Sequence, residues 1–135
     1  MRRVIVTGGS GGIGDAVIQS FLADGDQIVN LDLCEPDEHM TSNGRLDTVK
    51  VDLCDSHAVR RAFSGVDELL GGSAPDVLVC CASISQAHHF LDVEDDDFER
   101  LWGVNVRGTF VVCQEAGRRM RDAGRGGHIV VITSI

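Results

Sequence analysis

The chain has 135 residues, with 21 acidic against 12 basic side chains and a formal net charge of −9. Its 43% hydrophobic content is that of a globular chain and excludes intrinsic disorder, and its length points to one domain spanning residues 1–135. The acidity excludes a general nucleic-acid backbone binder, which needs a basic surface to displace counterions.

The first predicted element is a strand over residues 3–7, a β-branched run stopped by glycine. A helix follows over 12–23, with Ile13, Ala16, Val17, Phe21 and Ala23 expected near one apolar face and Gly25 as its stop. A second strand covers 27–32, and the polar stretch 35–46 is a loop or a ragged short helix. A third strand is expected over 47–51, then a helix capped by Asp55 or Ser56 and running to about Leu70. The nearly all-apolar run 76–81 is a fourth strand covered on both faces. After a loop over 82–92, one long helix is predicted to about Ala123, with Asp92 as N-cap and Asp95 completing an approximate capping box. Acidic residues crowd its start and arginines its end, as the helix dipole favours. Residues 128–133 form a fifth strand. Strands alternating with helices predict βαβ units and a parallel sheet. With no helix after its fifth strand, such a sheet has an uncovered face, so the chain's end is expected to be a cut.

No apolar run approaches the roughly 18 residues that cross a bilayer, so no membrane association is expected. The run after the two opening arginines stops at Thr7, too soon for a targeting peptide. Cys34, Cys54, Cys80, Cys81 and Cys113 show no C-x-x-C spacing and lie mostly in apolar runs. They read as small hydrophobes in a reducing compartment, which implies a cytoplasmic location. Cys80 and Cys81, adjacent in a strand, point to opposite faces and make a poor redox pair.

The segment Thr7-Gly8-Gly9-Ser10-Gly11-Gly12-Ile13-Gly14 leaves a strand and enters a helix. Glycines there permit a tight turn and close backbone approach to a pyrophosphate, and the free N–H groups of the helix start face the phosphates. The plain alternative is a glycine-rich turn that holds nothing. A kinase-type phosphate loop is excluded, because no lysine follows. Asp32 ends the second strand 18 residues after Gly14. It can accept hydrogen bonds from both hydroxyls of an adenosine ribose and would repel a 2′-phosphate. With no arginine or lysine between residues 8 and 34, NAD is favoured over NADP. The alternative is a strand-end acid in solvent. Asp52, before Leu53, can accept from the adenine amino group or serve as a helix-side cap, and both readings stay open. His88, His89 and Asp92 have ligand-like spacing but no distant partners, so no metal site is predicted.

These pieces together resemble the short-chain dehydrogenase/reductase family of classical type. The resemblance rests on Thr7-Gly8, Gly12-Ile13-Gly14, Asp32, Asp52-Leu53, Val104-Asn105-Val106-x-Gly108 and the strand 127–134 ending in Ser134. It implies an α/β, Rossmann-like doubly wound parallel sheet with helices on both faces, truncated after the fifth strand. It implies a cofactor site at Gly8, Ser10, Gly11, Gly12, Ile13, Gly14, Asp32, Asp52, Leu53 and Ala82. Asn105 would support a proton relay and interrupt the helix ladder, and Ser134 would orient the substrate oxygen. The implied reaction is hydride transfer between a nicotinamide cofactor and an alcohol or ketone.

Two departures stand out. The family's fourth strand usually ends Asn-Asn-Ala-Gly, where this chain has Cys80-Cys81-Ala82-Ser83. The family's Tyr-x-x-x-Lys pair has no counterpart, because the chain has no tyrosine and its only lysine is Lys50. The chain is therefore expected to be the N-terminal part of an oxidoreductase, inactive by itself. The alternative is a degenerate nucleotide-binding or assembly protein. A homo-oligomer is implied for the parent enzyme, because the family pairs through the long helix and a helix beyond the tyrosine.

Overall fold

The computed structural model describes residues 1–36 and 44–134. The expectation of a loop or ragged helix over 35–46 therefore lies largely outside the described residues. Five parallel strands form one sheet in the order β3-β2-β1-β4-β5: β1 Arg3–Thr7, β2 Gln27–Asp32, β3 Leu46–Lys50, β4 Val77–Cys80 and β5 His128–Val131. The order reverses between β1 and β4, and at that switch point the crevice outside the carboxyl ends of the strands is open to a ligand.

Helices cover both faces. α1 (Gly12–Ala23) packs on Val4, Val6, Ile28, Val77 and Val79. α2 (Ser56–Leu69) and α4 (Thr109–Asp122) pack on Ile5, Val29, Leu31 and Leu78, with Phe63 and Val112 fully buried between the layers. Alternate residues of β1 thus feed opposite cores, as strand geometry requires. β5 differs: Ile129, Val130, Val131 and Ile132 remain 43–45% exposed.

The buried face of α1 is not the one predicted. Gly14, Ile18 and Leu22 face the sheet, Val17 and Phe21 pack at the margin, and Ile13, Ala16 and Ala23 are exposed. Gly14 lies directly on the Gly8 carbonyl and the Gly9 Cα, and that contact sets the rotation of the helix.

The single helix predicted from Asp92 to Ala123 is also corrected. Asp92 closes a short 3-10 turn, Phe90–Asp92, and the capping box with Asp95 does not form. α3 (Asp95–Leu101) starts after Glu94, whose side chain makes no cap bond. A π-helical stretch, Trp102–Gly108, then joins α3 to α4. The cap of α2 is Asp55, whose Oδ1 accepts from the amides of His57 and Ala58, each at 2.9 Å.

Charged contacts pin the strand starts. Arg2 donates to Asp26 through its amide (2.7 Å) and Nε (2.8 Å), and the Asp26 side chain is only 3% exposed. The hydrogen bond from the Arg2 guanidinium holds the Asp26 carboxyl below its ordinary range and outweighs the opposing effect of burial. A depressed folded-state pKa stabilises the fold above the unfolded value and is lost as pH falls through the folded one. The melting temperature is therefore expected to drop as pH is lowered from about 5 to about 3, and Asp26→Asn should flatten that slope. Thermal melts of both proteins across this range check it, and equal slopes would contradict it.

Candidate functional site

A cavity of about 770 Å³ opens at the carboxyl ends of the strands, on the switch point. Its floor is the glycine loop. Gly8 has φ +70°, and a Cβ there would lie 2.6 Å from the Ala82 Cα and 2.7 Å from the Ala82 nitrogen, so β1 and the end of β4 meet backbone to backbone. Gly11 stands at the N-cap of α1, where no side chain caps the helix. The first N–H groups of α1, from residues that line the cavity, are thus left without a side-chain cap, which suits a phosphate.

The loop is braced from β2. The buried Asn30 accepts from the Gly9 amide through Oδ1 at 2.9 Å and donates to Ser10 Oγ at 3.3 Å. Asp32 Oδ2 accepts from the Ser10 amide at 2.9 Å, and its Oδ1 accepts from the Cys34 amide at 3.1 Å. Both oxygens keep further acceptor capacity inside the cavity. Ser10 Oγ in turn donates to the Cys34 carbonyl at 2.9 Å.

On the β3 side, Asp52 Oδ1 accepts from the Cys54 amide at 2.8 Å, a local turn that leaves capping of α2 to Asp55. Leu53 is 5% exposed and lines the cavity beside it. On the β4 side, the Ala82 amide donates to Thr7 Oγ1 at 3.2 Å. Cys80 points away from the cavity into the α4 side, its sulfur 3.9 Å from that of Cys113. Burial pushes the Cys80 thiol well up. Cys81 lines the cavity, and its partial burial also raises its pKa. Of the three residues departing from the family pattern at this strand end, Cys80, Cys81 and Ser83, Cys80 therefore belongs to the core.

All ten residues expected to touch a cofactor line this one cavity: Gly8, Ser10, Gly11, Gly12, Ile13, Gly14, Asp32, Asp52, Leu53 and Ala82. Asn105 and Ser134 do not. Asn105 lies in the π-helical stretch and grips the backbone of Ile84, accepting from its amide at 2.9 Å and donating to its carbonyl at 2.8 Å. Ile84 itself lines the cavity. Ser134 is exposed beyond the carboxyl end of β5, where the Ile132 amide bonds to the Cys80 carbonyl at 3.0 Å.

Asn30, Arg100 and Val104 were not among the expected site residues. A polar residue inside an apolar strand was the available signal for Asn30. Nothing local announced Arg100 or Val104, which reach the cavity from α3 and the π stretch. His88 and His89 are exposed, and among the described residues no group of His, Cys, Asp and Glu converges as a metal site would require. Among the described residues no helix is long and apolar enough to cross a membrane.

A family model described as short chain dehydrogenase matches residues 2–135. The chain is 35% identical over 137 residues to a short-chain dehydrogenase/reductase of Armillaria gallica, covering 96% of this chain and 52% of that protein. It is 34% identical over 139 residues to the 3-oxoacyl-acyl-carrier-protein reductase MabA of Mycobacterium bovis, covering 99% and 51% respectively. A short chain dehydrogenase from Leptospira borgpetersenii solved with bound NAD+ superposes with a TM-score of 0.89 at 30% identity, over 98% of this chain and 51% of that one. The chain spans about half the length of these two relatives.

Proposed function

The chain belongs to the short-chain dehydrogenase/reductase family, and from that premise we propose that residues 1–135 are the cofactor-holding part of an NAD-dependent oxidoreductase acting on an alcohol or ketone. The observation that carries the reading is Asp32, fixed by two backbone amides at the carboxyl end of β2 within a cavity floored by the uncapped start of α1. Ribose hydroxyls are donors suited to that carboxylate, whereas a 2′-phosphate would meet like charge. A relative solved with bound NAD+ and 4-hydroxyisoleucine dehydrogenase solved with NADH support the same choice.

Bound here, the nicotinamide supplies hydride exchange with a carbon bearing the substrate oxygen. The chain's own part is binding and orientation. Gly12 to Gly14, the first residues of α1, offer backbone N–H groups to the pyrophosphate, and Asp32 holds the ribose. Asn105 fixes the segment at Ile84 and supports a proton relay. Ser134 hydrogen-bonds the substrate oxygen from the end of β5. Delivering a proton to the developing alkoxide needs a matched acid, the role of the family's tyrosine–lysine pair. The 135 residues contain no tyrosine to fill that role.

Equilibrium dialysis of wild type and Asp32→Ala with NAD and NADP tests the reading. Wild type should prefer NAD, and the variant should lose about tenfold or more in NAD affinity, the effect of hydrogen bonds to a charged group, with its preference narrowed. An unchanged preference would overturn the assignment.

A further inference from the structure

Cys80 and Cys113 take no part in lining the cavity. Cys80 ends β4 with its side chain in the core on the α4 side, and Cys113 stands on α4, half-buried against that same core. Their sulfurs lie 3.9 Å apart, although 33 residues separate them along the chain. Cys81 is turned to the other face of the sheet, toward α1 and the cavity, so the end of β4 offers α4 one thiol and not two.

A disulfide holds its sulfurs at about 2.05 Å, so the pair has to close by about 1.9 Å. That is the scale on which Sγ swings when χ1 turns at the two residues. The thiols differ in access. Cys80 is 3% exposed, and burial keeps it protonated, which makes it a poor first nucleophile. Cys113, at the margin of the core, is the one a small oxidant in solvent meets first.

We propose that Cys80 and Cys113 are a modification site, a dithiol that a hydroperoxide converts to a reversible disulfide locking α4 to β4. The Cys113 sulfur attacks a peroxide oxygen and the O–O bond breaks. Cys113 becomes a sulfenic acid, and its thiol proton leaves with the departing oxygen, as water when the oxidant is hydrogen peroxide. Cys80 Sγ then attacks the Cys113 sulfur. The S–S bond forms, the S–O bond breaks, and the expelled hydroxyl takes the Cys80 proton as a second water. The two thiols lose two electrons and the peroxide gains them. A thiol reductant reverses the bond, as suits a disulfide formed transiently in a reducing compartment.

The test treats wild type, Cys80→Ala, Cys81→Ala and Cys113→Ala with hydrogen peroxide, with and without dimedone to trap sulfenic acid. Free thiols are then alkylated, and tandem mass spectrometry of the tryptic digest locates each bond. Wild type and Cys81→Ala should give the Cys80–Cys113 cross-link, and dithiothreitol should remove it. Cys80→Ala should lose the cross-link and carry dimedone on Cys113. Cys113→Ala should lose it and keep Cys80 as a free thiol. Cross-linked wild type should melt about 5 °C or more above the reduced protein, and Cys113→Ala should show no such rise. The inference is overturned if wild type forms no Cys80–Cys113 bond at a peroxide dose that oxidises the exposed Cys34, if Cys81 is joined to Cys113 instead, or if the cross-linked protein melts no higher than the reduced one.

Discussion

Gly14→Ala is expected to lose NAD binding and to destabilise the fold by about 2–3 kcal/mol. Alanine would ordinarily favour a helix position by about 1 kcal/mol, so the sign of this effect is diagnostic. The added Cβ would strike the Gly8 carbonyl oxygen and come within 2.7 Å of the Gly9 Cα. Both are backbone atoms of the turn that floors the cavity, so no side chain can swing aside. Relief requires α1 to lift from β1, which strips Ile18 and Leu22 from the core they share with Val4 and Val6. It also moves the helix start away from the place where a pyrophosphate would sit. Urea unfolding gives the stability and equilibrium dialysis the affinity. Wild-type values for both would show that the close approach does not matter.

Phe63→Ala is expected to cost about 3–5 kcal/mol, the range for removing a buried ring. That is a large share of the stability of an ordinary domain. Phe63 is fully buried between α2, the sheet and α4, and the Arg119 guanidinium lies 4.7 Å over its ring. Arg119 is held there by ion pairs to Asp67 and Glu115. Those two carboxylates would keep the arginine in place beside the hole, so the site can collapse only in part. Phe63→Leu fills most of the space and should cost about 1–1.5 kcal/mol, less than the alanine variant. Equal losses for the two, measured by urea unfolding, would contradict the packing account.

Strand positions were legible because β-branched runs end in glycine or acid: β1, β2 and β5 begin at the expected residue, β3 begins one residue early and β4 one late. The cavity was legible for a related reason. Its glycine loop, Asp32 and Asp52-Leu53 all lie at or just past the carboxyl ends of strands, and parallel strands deliver such residues to one edge of the sheet. The face of α1 was not legible, because glycine has no hydrophobicity to count, yet the contact of Gly14 with Gly8 decides the rotation. The break between α3 and α4 was hidden too. Acidic residues at one end and arginines at the other suit a straight helix and an interrupted one equally. What fixes the π stretch is tertiary: Asn105 clamps Ile84, and Gly103 and Gly108 admit Cys54 and Leu53. Arg100 was invisible for the same reason, being brought to the cavity by a helix whose packing no local pattern encodes.

The most direct test of the central claim is an amide NMR titration of this chain with NAD. The account predicts shifts concentrated in residues 8–14, at Asp32 to Cys34, at Asp52 to Cys54 and at Ala82, saturating with a single affinity. Saturating NAD that leaves the glycine-loop amides unmoved, or shifts instead Gly72, Ser73 and Ala74 at the opposite end of the sheet, would contradict it.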